Sequence, residues 1–404
     1  MPKSIAIIGT LDTKGDPVAY LEERIKKKGH RAVVIDVGIL GESPYKADIT
    51  RYQVAEAAGT TLDDIAALKD KEAEALEKMI QGAQKIVEEL YQDRKLDALL
   101  AVGGSMGTSL ALRVIRGLPL GLPKIVISTV AYSPAISPEL LGTDLLMMPW
   151  YGGLWGISEV SRRVLDQTVG MILGAAELYD PNPLTKRIIG VTALGSVSAK
   201  YMYHLKPALE ERGYEVSVYH ATGMNVKLLE KAIADGQIDA VLELQACKEL
   251  IAEVCGSLFS PGPKRFEAAV EKGIPQVLSM GTIESCIWAH HHPIPPKYAD
   301  RTIIPHNDVI WMVPTSVEEK VEAAKMMAEK LNRAKGPCVF LVPTGEPPAG
   351  VRKLGFEDPV GVAAFKEELK KRLKPKVRVV EVPSSSDDPQ FTMEAVKLLD
   401  QLLE

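Results

Sequence analysis

The sequence predicts an α/β protein of two Rossmann-like, doubly wound domains with mainly parallel sheets. Short β-branched runs alternate with longer stretches of helical periodicity along all 404 residues. The short runs are continuously apolar, as in parallel strands covered by helices on both faces. The second half also repeats segments of the first in the same order. "GHRAVVID" from Gly29 lines up with "GYEVSVYH" from Gly213, "KLDALLAV" from Lys95 with "QIDAVLEL" from Gln237, and "GLPKIVIS" from Gly121 with "GIPQVLSM" from Gly273.

The elements follow in order. Residues 5–41 read as strand, glycine-bearing turn, helix, glycine, strand, which places strands at 4–8 and 32–37. An insertion between Asp36 and Asp97 carries a long amphipathic helix, "KDKEAEALEKMIQGAQKIVEELYQ". Strands at 96–102, 124–128 and 145–148 complete the first series. The segment "YDPNPLTK", 179–186, with two prolines and an asparagine, marks the linker, so the domains are 1–182 and 183–404. The second series comprises strands at 187–192, 215–219, 240–244, 276–280, 309–313, 338–342 and 377–382. One of its helices begins at Ser316, where Glu319 completes a capping box, and ends before Gly336.

Composition narrows the function. The net charge of −5 and the lack of long Lys/Arg runs argue against nucleic acid or an anionic membrane surface as the main partner. With 46% hydrophobic residues a large core is available, yet no apolar run approaches the roughly 18 residues of a membrane span. The amino terminus enters a strand at once, without the build of a signal peptide. Cys247, Cys255, Cys286 and Cys338 lack CxxC spacing and read as reduced thiols of a cytoplasmic protein.

Ligands of open α/β sheets sit beyond the carboxyl ends of the strands. The first such end is "GTLDTKG". Gly9 allows close backbone approach, the following helix offers unpaired N–H groups, Lys14 adds charge, and Thr10 and Thr13 add hydroxyls. An ordinary strand-to-helix turn with a solvated lysine is the plainer alternative. The second end, "AVGGSMGTSLALRVI", places Gly103, Gly104, Ser105, Gly107 and Thr108 where N–H groups converge on an anion, or where helix and sheet merely pack closely. The matching "LQACKEL" of the second half has no glycine, so the ligand belongs mainly to the first domain. Ser128, Thr129 and Ser133 follow the next strand. Asp12 and Asp144 are candidate magnesium ligands beside a phosphate site. Asp36 stands where an acid meets a ribose hydroxyl in dinucleotide folds. His290, His291, His292 and His306 read as a polar loop rather than a metal site. No GxSxG elbow or Cys–His pair stands out.

Taken together, "IGTLDTKG", "VIDVGILG", "AVGGSMGTSLA", "GYEVSVYHATG", "GIPQVLSMGT", "IPHNDVIWMVPTSVEE" and "GFEDPVGVAAF" resemble the Tm-1-like family, catalogued as the uncharacterised protein family UPF0261. The resemblance covers nearly the whole chain. It implies a site for ATP with Mg2+ and a homodimer, with nucleotide contacts on the Gly9–Lys14 turn, Asp36 and the Gly103–Thr108 loop. It names no reaction. Departures fall at Met106, which replaces a glycine of the family's GGSGGT, and in second-domain segments such as "HATGMNV", "ELQACKE" and "GTIESCIW". Two functions stay open. One is a nucleotide-dependent enzyme acting on a small anionic metabolite, with His220, Glu243 and Glu284 addressing that co-substrate. The other is a non-catalytic ATP-binding regulatory module acting through protein partners.

Overall fold

Ser4–Gly9 (β1), Arg31–Asp36 (β2), Ala98–Gly103 (β3), Lys124–Ser128 (β4) and Leu146–Pro149 (β5) form one parallel sheet in the order β2-β1-β3-β4-β5. This is the structure given by a computed structural model, which describes residues 1–68, 71–150, 152–153 and 155–404, without the side chains of 138, 139, 196 and 197. Helices Leu11–Lys27 (α1), Arg51–Ala57 (α2), Leu62–Ala66 (α3), Glu72–Gln92 (α4), Ser105–Ile115 (α5) and Glu159–Leu178 (α6) flank the sheet. Strands β1 to β4 are almost wholly buried because both faces are covered, while the edge strand β5 is less so. Ile5, Ile7, Leu100 and Ile127 pack with residues of α1 and α6, while Ala6, Ile8, Leu99 and Val126 pack with α2, α4 and α5. The helix that follows β1 and the helix that follows β3 therefore lie on opposite faces, and the strand order reverses between these two neighbours. That gap is the topological switch point.

The chain divides into two units by its own contacts, Met1–Pro183 and Leu184–Glu404. The second unit holds Ile188–Ala193 (β6), Glu215–His220 (β7), Ala240–Glu243 (β8), Gln276–Ser279 (β9), Ser285–Ala289 (β10), Ile304–Pro305 (β11), Ile310–Pro314 (β12), Cys338–Pro343 (β13) and Val377–Val382 (β14). Its helices are Gly195–Glu210 (α7), Gly223–Ala234 (α8), Lys248–Cys255 (α9), Glu267–Lys272 (α10), Val317–Leu331 (α11), Ala349–Leu354 (α12), Pro359–Arg372 (α13) and Pro389–Leu403 (α14). Six strands make a parallel sheet in the order β14-β13-β9-β8-β6-β7, which is the first unit's order with one strand added. The repeat reaches single bonds. Asp97 Oδ2 accepts the Ser4 N–H at 2.7 Å, and Asp239 Oδ2 accepts the Ile188 N–H at 2.7 Å.

Residues 309–313 were expected in this series of parallel strands. They form β12, the centre of a separate antiparallel sheet between β10 and β11. The apolar run "VIWMV" is the same in either setting, and only the pairing with "SCIWA" distinguishes them. The capping box at Ser316 and Glu319 is present at the head of α11. No described helix is long and apolar enough to cross a membrane.

Candidate functional site

The turn after β1 lies beside the loop after β3, because Ile8 pairs with Ala101 in the sheet. Thr10 precedes α1 without a side-chain cap, and its hydroxyl meets that of Thr13 at 2.8 Å. The helix is kinked at Lys14, which has φ −127° and ψ 21°. Lys14 Nζ reaches the Thr13 carbonyl at 3.2 Å and lies 4.8 Å from the Trp155 ring centre. Partial burial lowers the pKa of Lys14, and Asp12 acts in the opposite sense. Trp155 is 80% exposed, so it offers an aromatic face beside the ammonium. A second aromatic, Tyr45, covers Gly15, where a Cβ would come within 2.4 Å of the ring, and its hydroxyl bonds Asp16.

The glycines of the β3–α5 loop divide by role. A Cβ on Gly103 would lie 2.4 Å from the backbone of Gly107 and Thr108, so this glycine is demanded by packing. Gly104 and Gly107 carry no such demand: the nearest atoms to their Cβ positions are Thr129 Oγ1 at 3.8 Å and the Val102 carbonyl at 3.6 Å. Neither has a positive φ. Gly104 caps α5 with no side-chain bond, leaving the first N–H groups of an 11-residue helix unpaired. Ser105 and Met106 stand exposed on that first turn. Thr108 and Ser128 turn inward. Their hydroxyls are 2.7 Å apart and buried, and Ser128 Oγ also accepts the Val130 N–H at 3.1 Å. Thr129 N–H bonds the Gly103 carbonyl at 3.2 Å, tying the β4 loop to the β3 loop.

Asp36 ends β2 at the rim of this crevice. It is 6% exposed, and its Oδ1 accepts N–H groups from Leu11 at 3.0 Å and Gly38 at 2.9 Å. Burial raises its pKa against the pull of those two bonds. Asp36 thus fastens two loops together, whatever else it contacts. Asp12 Oδ2 accepts the Leu40 N–H at 3.0 Å, while its buried Oδ1 has no partner.

Asp144 requires a correction. It precedes β5, so it lies at the amino end of the sheet, opposite the crevice. Its carboxylate takes Lys124 Nζ at 2.6 Å and the Gly121 N–H at 2.7 Å. Four or five residues of strand, roughly 15 Å, separate it from the ends of β3 and β4. It therefore cannot share a magnesium ion with Asp12. Among the described residues no three His, Cys, Asp or Glu side chains converge on a metal position. His290 instead stacks on Trp311, ring centres 4.0 Å apart. The orphaned Asp12 oxygen fits one contact to a magnesium ion held mainly by phosphates, and does not fit a metal held by protein alone.

These features place the chain among known sequences. The model of the uncharacterised protein family UPF0261 matches residues 3–181 with its N-terminal domain and 186–403 with its C-terminal domain. The chain belongs to the UPF0261 family. A UPF0261 protein of Brucella suis is 37% identical over 98% of this chain and 95% of its own length. One of Clostridium tetani is 34% identical over 100% of both chains. The tomato ToMV resistance protein Tm-1(GCR237) is 30% identical over 98% of this chain and 55% of its own length. Among solved structures, UDP-N-acetylglucosamine 2-epimerase from Rickettsia bellii aligns over 69% of this chain and 78% of that one with 12% identity and a TM-score of 0.24, too distant to bear on function.

In the second half of this UPF0261 chain, the expected co-substrate residues separate. His220 is exposed at the end of edge strand β7, with Nδ1 3.2 Å from Thr222 Oγ1. Glu243 is not available to a ligand, because it is 1% exposed and bonded to Arg265 through both oxygens. Arg265, itself buried, also takes Glu230 at 3.0 Å and faces Glu249 at 3.8 Å. Three acids thus face one arginine. The carboxyl oxygens of Glu249 find no hydrogen-bond partner, and burial pushes its pKa up to about 7 with Arg265 opposing.

A group held protonated in the fold stabilises it fully below its unfolded pKa, near 4.5, and loses that contribution as pH rises to about 7. Glu249→Gln is expected to remove this loss. Between pH 5 and 8 the variant should lose up to about 3 kcal/mol less stability than the parent. Denaturant unfolding at both pH values checks this, and parallel behaviour of the two proteins would clear Glu249 of the titration.

Proposed function

We propose that the first unit binds a nucleotide, ATP with Mg2+, across the switch point between β1 and β3. The observation that carries this reading is the pair Gly104 and Gly107. No protein atom requires their missing side chains, and they stand at the head of an uncapped helix beside the β1 turn. Bare N–H groups and the helix dipole suit a phosphate there. Lys14 supplies a further cation, Asp12 one oxygen toward the magnesium ion, and Trp155 a face for the base. The family resemblance supports the same ligand. A homodimer and a small anionic co-substrate belong to this proposal as well, the first to be read by sedimentation.

Binding without turnover is the second reading, and one observation favours it. The polar groups nearest the loops are already engaged: Thr108 with Ser128, Thr10 with Thr13, and Asp36 with two N–H groups. None is left poised as a general base. Incubation with ATP and candidate small anions decides between enzyme and regulatory module, since phosphate release or transfer occurs only in the first.

Thermal unfolding tests the site itself. At a hundredfold excess over Kd, ATP with Mg2+ should add about 2.7 kcal/mol of stability. Lys14→Ala should weaken binding by about tenfold, the worth of one charged hydrogen bond. Gly104→Val should abolish it while the ligand-free protein melts normally. An unchanged melting temperature with ATP in the parent protein would overturn the reading.

A further inference from the structure

We propose that the second unit carries its own ligand site, a cavity at the carboxyl ends of β8, β9 and β13 that takes a small monocarboxylate with an apolar body. This stands whether or not the first unit takes a nucleotide. The cavity has a volume of about 370 Å³. It occupies the position at which open parallel sheets bind ligands. Gln245 enters it after β8, Met280 and Glu284 after β9, and Gly345 after β13. Met312, Phe356 and Val362 complete a largely apolar wall.

Among the described residues two partly buried charged groups in this wall, Glu284 and Lys366, lack an ion-pair partner; Lys353 lacks one too but is exposed. Glu284 meets only its own backbone N–H. The lysines whose field reaches it are bonded elsewhere, Lys248 to the Ser285 carbonyl at 2.8 Å and Lys320 to Asp358 at 2.8 Å. Burial raises the pKa of Glu284, so it keeps a proton more readily and can donate it to an acceptor oxygen. Lys366 reaches only the Pro343 carbonyl, at 2.6 Å, and burial lowers its pKa. Lys200, by contrast, is paired with Asp387 at 3.3 Å. A half-buried ammonium whose field partner Glu381 is bonded to Lys370, and an acid without a side-chain partner, are each costly to maintain unless a ligand completes them.

The rest of the lining selects the class. A phosphate cradle would need free backbone at glycine. Here Gly281 and Gly345 are demanded by packing, since a Cβ would come within 2.3 Å of the Leu244 carbonyl and 2.5 Å of Ser384, and Gly350, which has open space, lies in the short α12 whose Ala349 N–H is already taken by the Asp387 carboxylate at 3.1 Å. Lys353, the other unpaired lysine of the lining, is exposed to solvent, so one partly buried ammonium, Lys366, is left to match one negative charge. Lys366 would take the carboxylate, Glu284 would donate to one of its oxygens, and the methionines and Phe356 would cover a short hydrocarbon body.

Calorimetry of the full chain with butanoate, hexanoate and octanoate tests this, with hexanol and hexyl phosphate as controls. Affinity should rise up to about fourfold per methylene, and hexanol and hexyl phosphate should bind at least tenfold more weakly than hexanoate. Lys366→Met and Glu284→Gln should each weaken hexanoate at least tenfold, and Met312→Trp, which fills the cavity from another strand, should abolish its binding. Met312→Trp also serves if Lys366→Met fails to fold. Hexyl phosphate binding as tightly as hexanoate would overturn the carboxylate, and undiminished binding in Met312→Trp would overturn the cavity. No binding of any probe would overturn the proposal, while the ATP shift would be untouched.

Discussion

Arg265→Met is expected to destabilise the second unit by about 3–5 kcal/mol, the usual penalty for removing one partner of a buried ion pair. The physical ground is the count of charges around it. Glu230, Glu243 and Glu249 all point at this guanidinium; Glu243 and Glu249 are buried with it and Glu230 is partly buried. Among the described residues, Glu243 has no other cation within bonding distance once Arg265 is gone, and Glu230 keeps only the N–H groups of Phe266 and Ala268. Methionine restores volume but none of the charge. The loss should shrink below pH 6, where Glu230 and Glu249 can take up protons, because burial already raises their pKa values and removal of the opposing arginine raises them further. Guanidinium chloride unfolding of the two proteins at pH 5 and 8 measures both effects. A loss below 1 kcal/mol at pH 8 would mean that the acids are already neutral in the parent protein.

Gly103→Ala should be the most disruptive single-methyl change in the first unit's crevice, costing at least the 1–3 kcal/mol usual for overpacking. The atoms its Cβ would strike at 2.4 Å are backbone, the carbonyl carbon of Gly107 and the nitrogen of Thr108, and backbone cannot rotate aside. Relief requires α5 to move off β3, which also breaks the Thr108–Ser128 hydroxyl contact and the Thr129–Gly103 bond. Gly104→Ala is the control. Its methyl has room in the ligand-free protein, so stability should change little. Two neighbouring glycines with opposite responses in unfolding experiments would separate packing from recognition. Equal responses would mean that the crevice has no position reserved for a ligand.

Much of this architecture was legible from residue pattern. Continuous apolar runs placed the parallel strands of both sheets, because burial on two faces leaves no alternation to misread. Loops Gly9–Lys14, Gly103–Thr108 and Ser128–Thr129 could be assigned to one crevice because sheet topology alone brings them together. Asp144 was misplaced through its direction. An acid just before a strand sits at the amino end of a parallel sheet, away from the crevice. Trp155 and Tyr45 escaped notice since their contacts with Lys14 and Gly15 span long loops whose course no local periodicity encodes. Glu243 stands at the carboxyl end of its strand as a ligand residue would, and its distant partner Arg265 shows it to be internal. The strand at 309–313 had the right composition and the wrong sheet.

The matching carboxylates Asp97 and Asp239, each clasping the first strand of its own unit, mark one address in two copies of one plan. Two units built on one plan leave the parts free to differ from one another. The clasp and the strand order belong to the frame, which both copies have kept. The mouths differ, one carrying bare glycines at 103, 104 and 107 after its third strand and the other Gln245, Ala246 and Glu249 at the matching positions. A lineage can therefore alter what one half recognises while the inheritance of the other half stays whole, and variation among relatives should collect in the mouths before it touches the clasps.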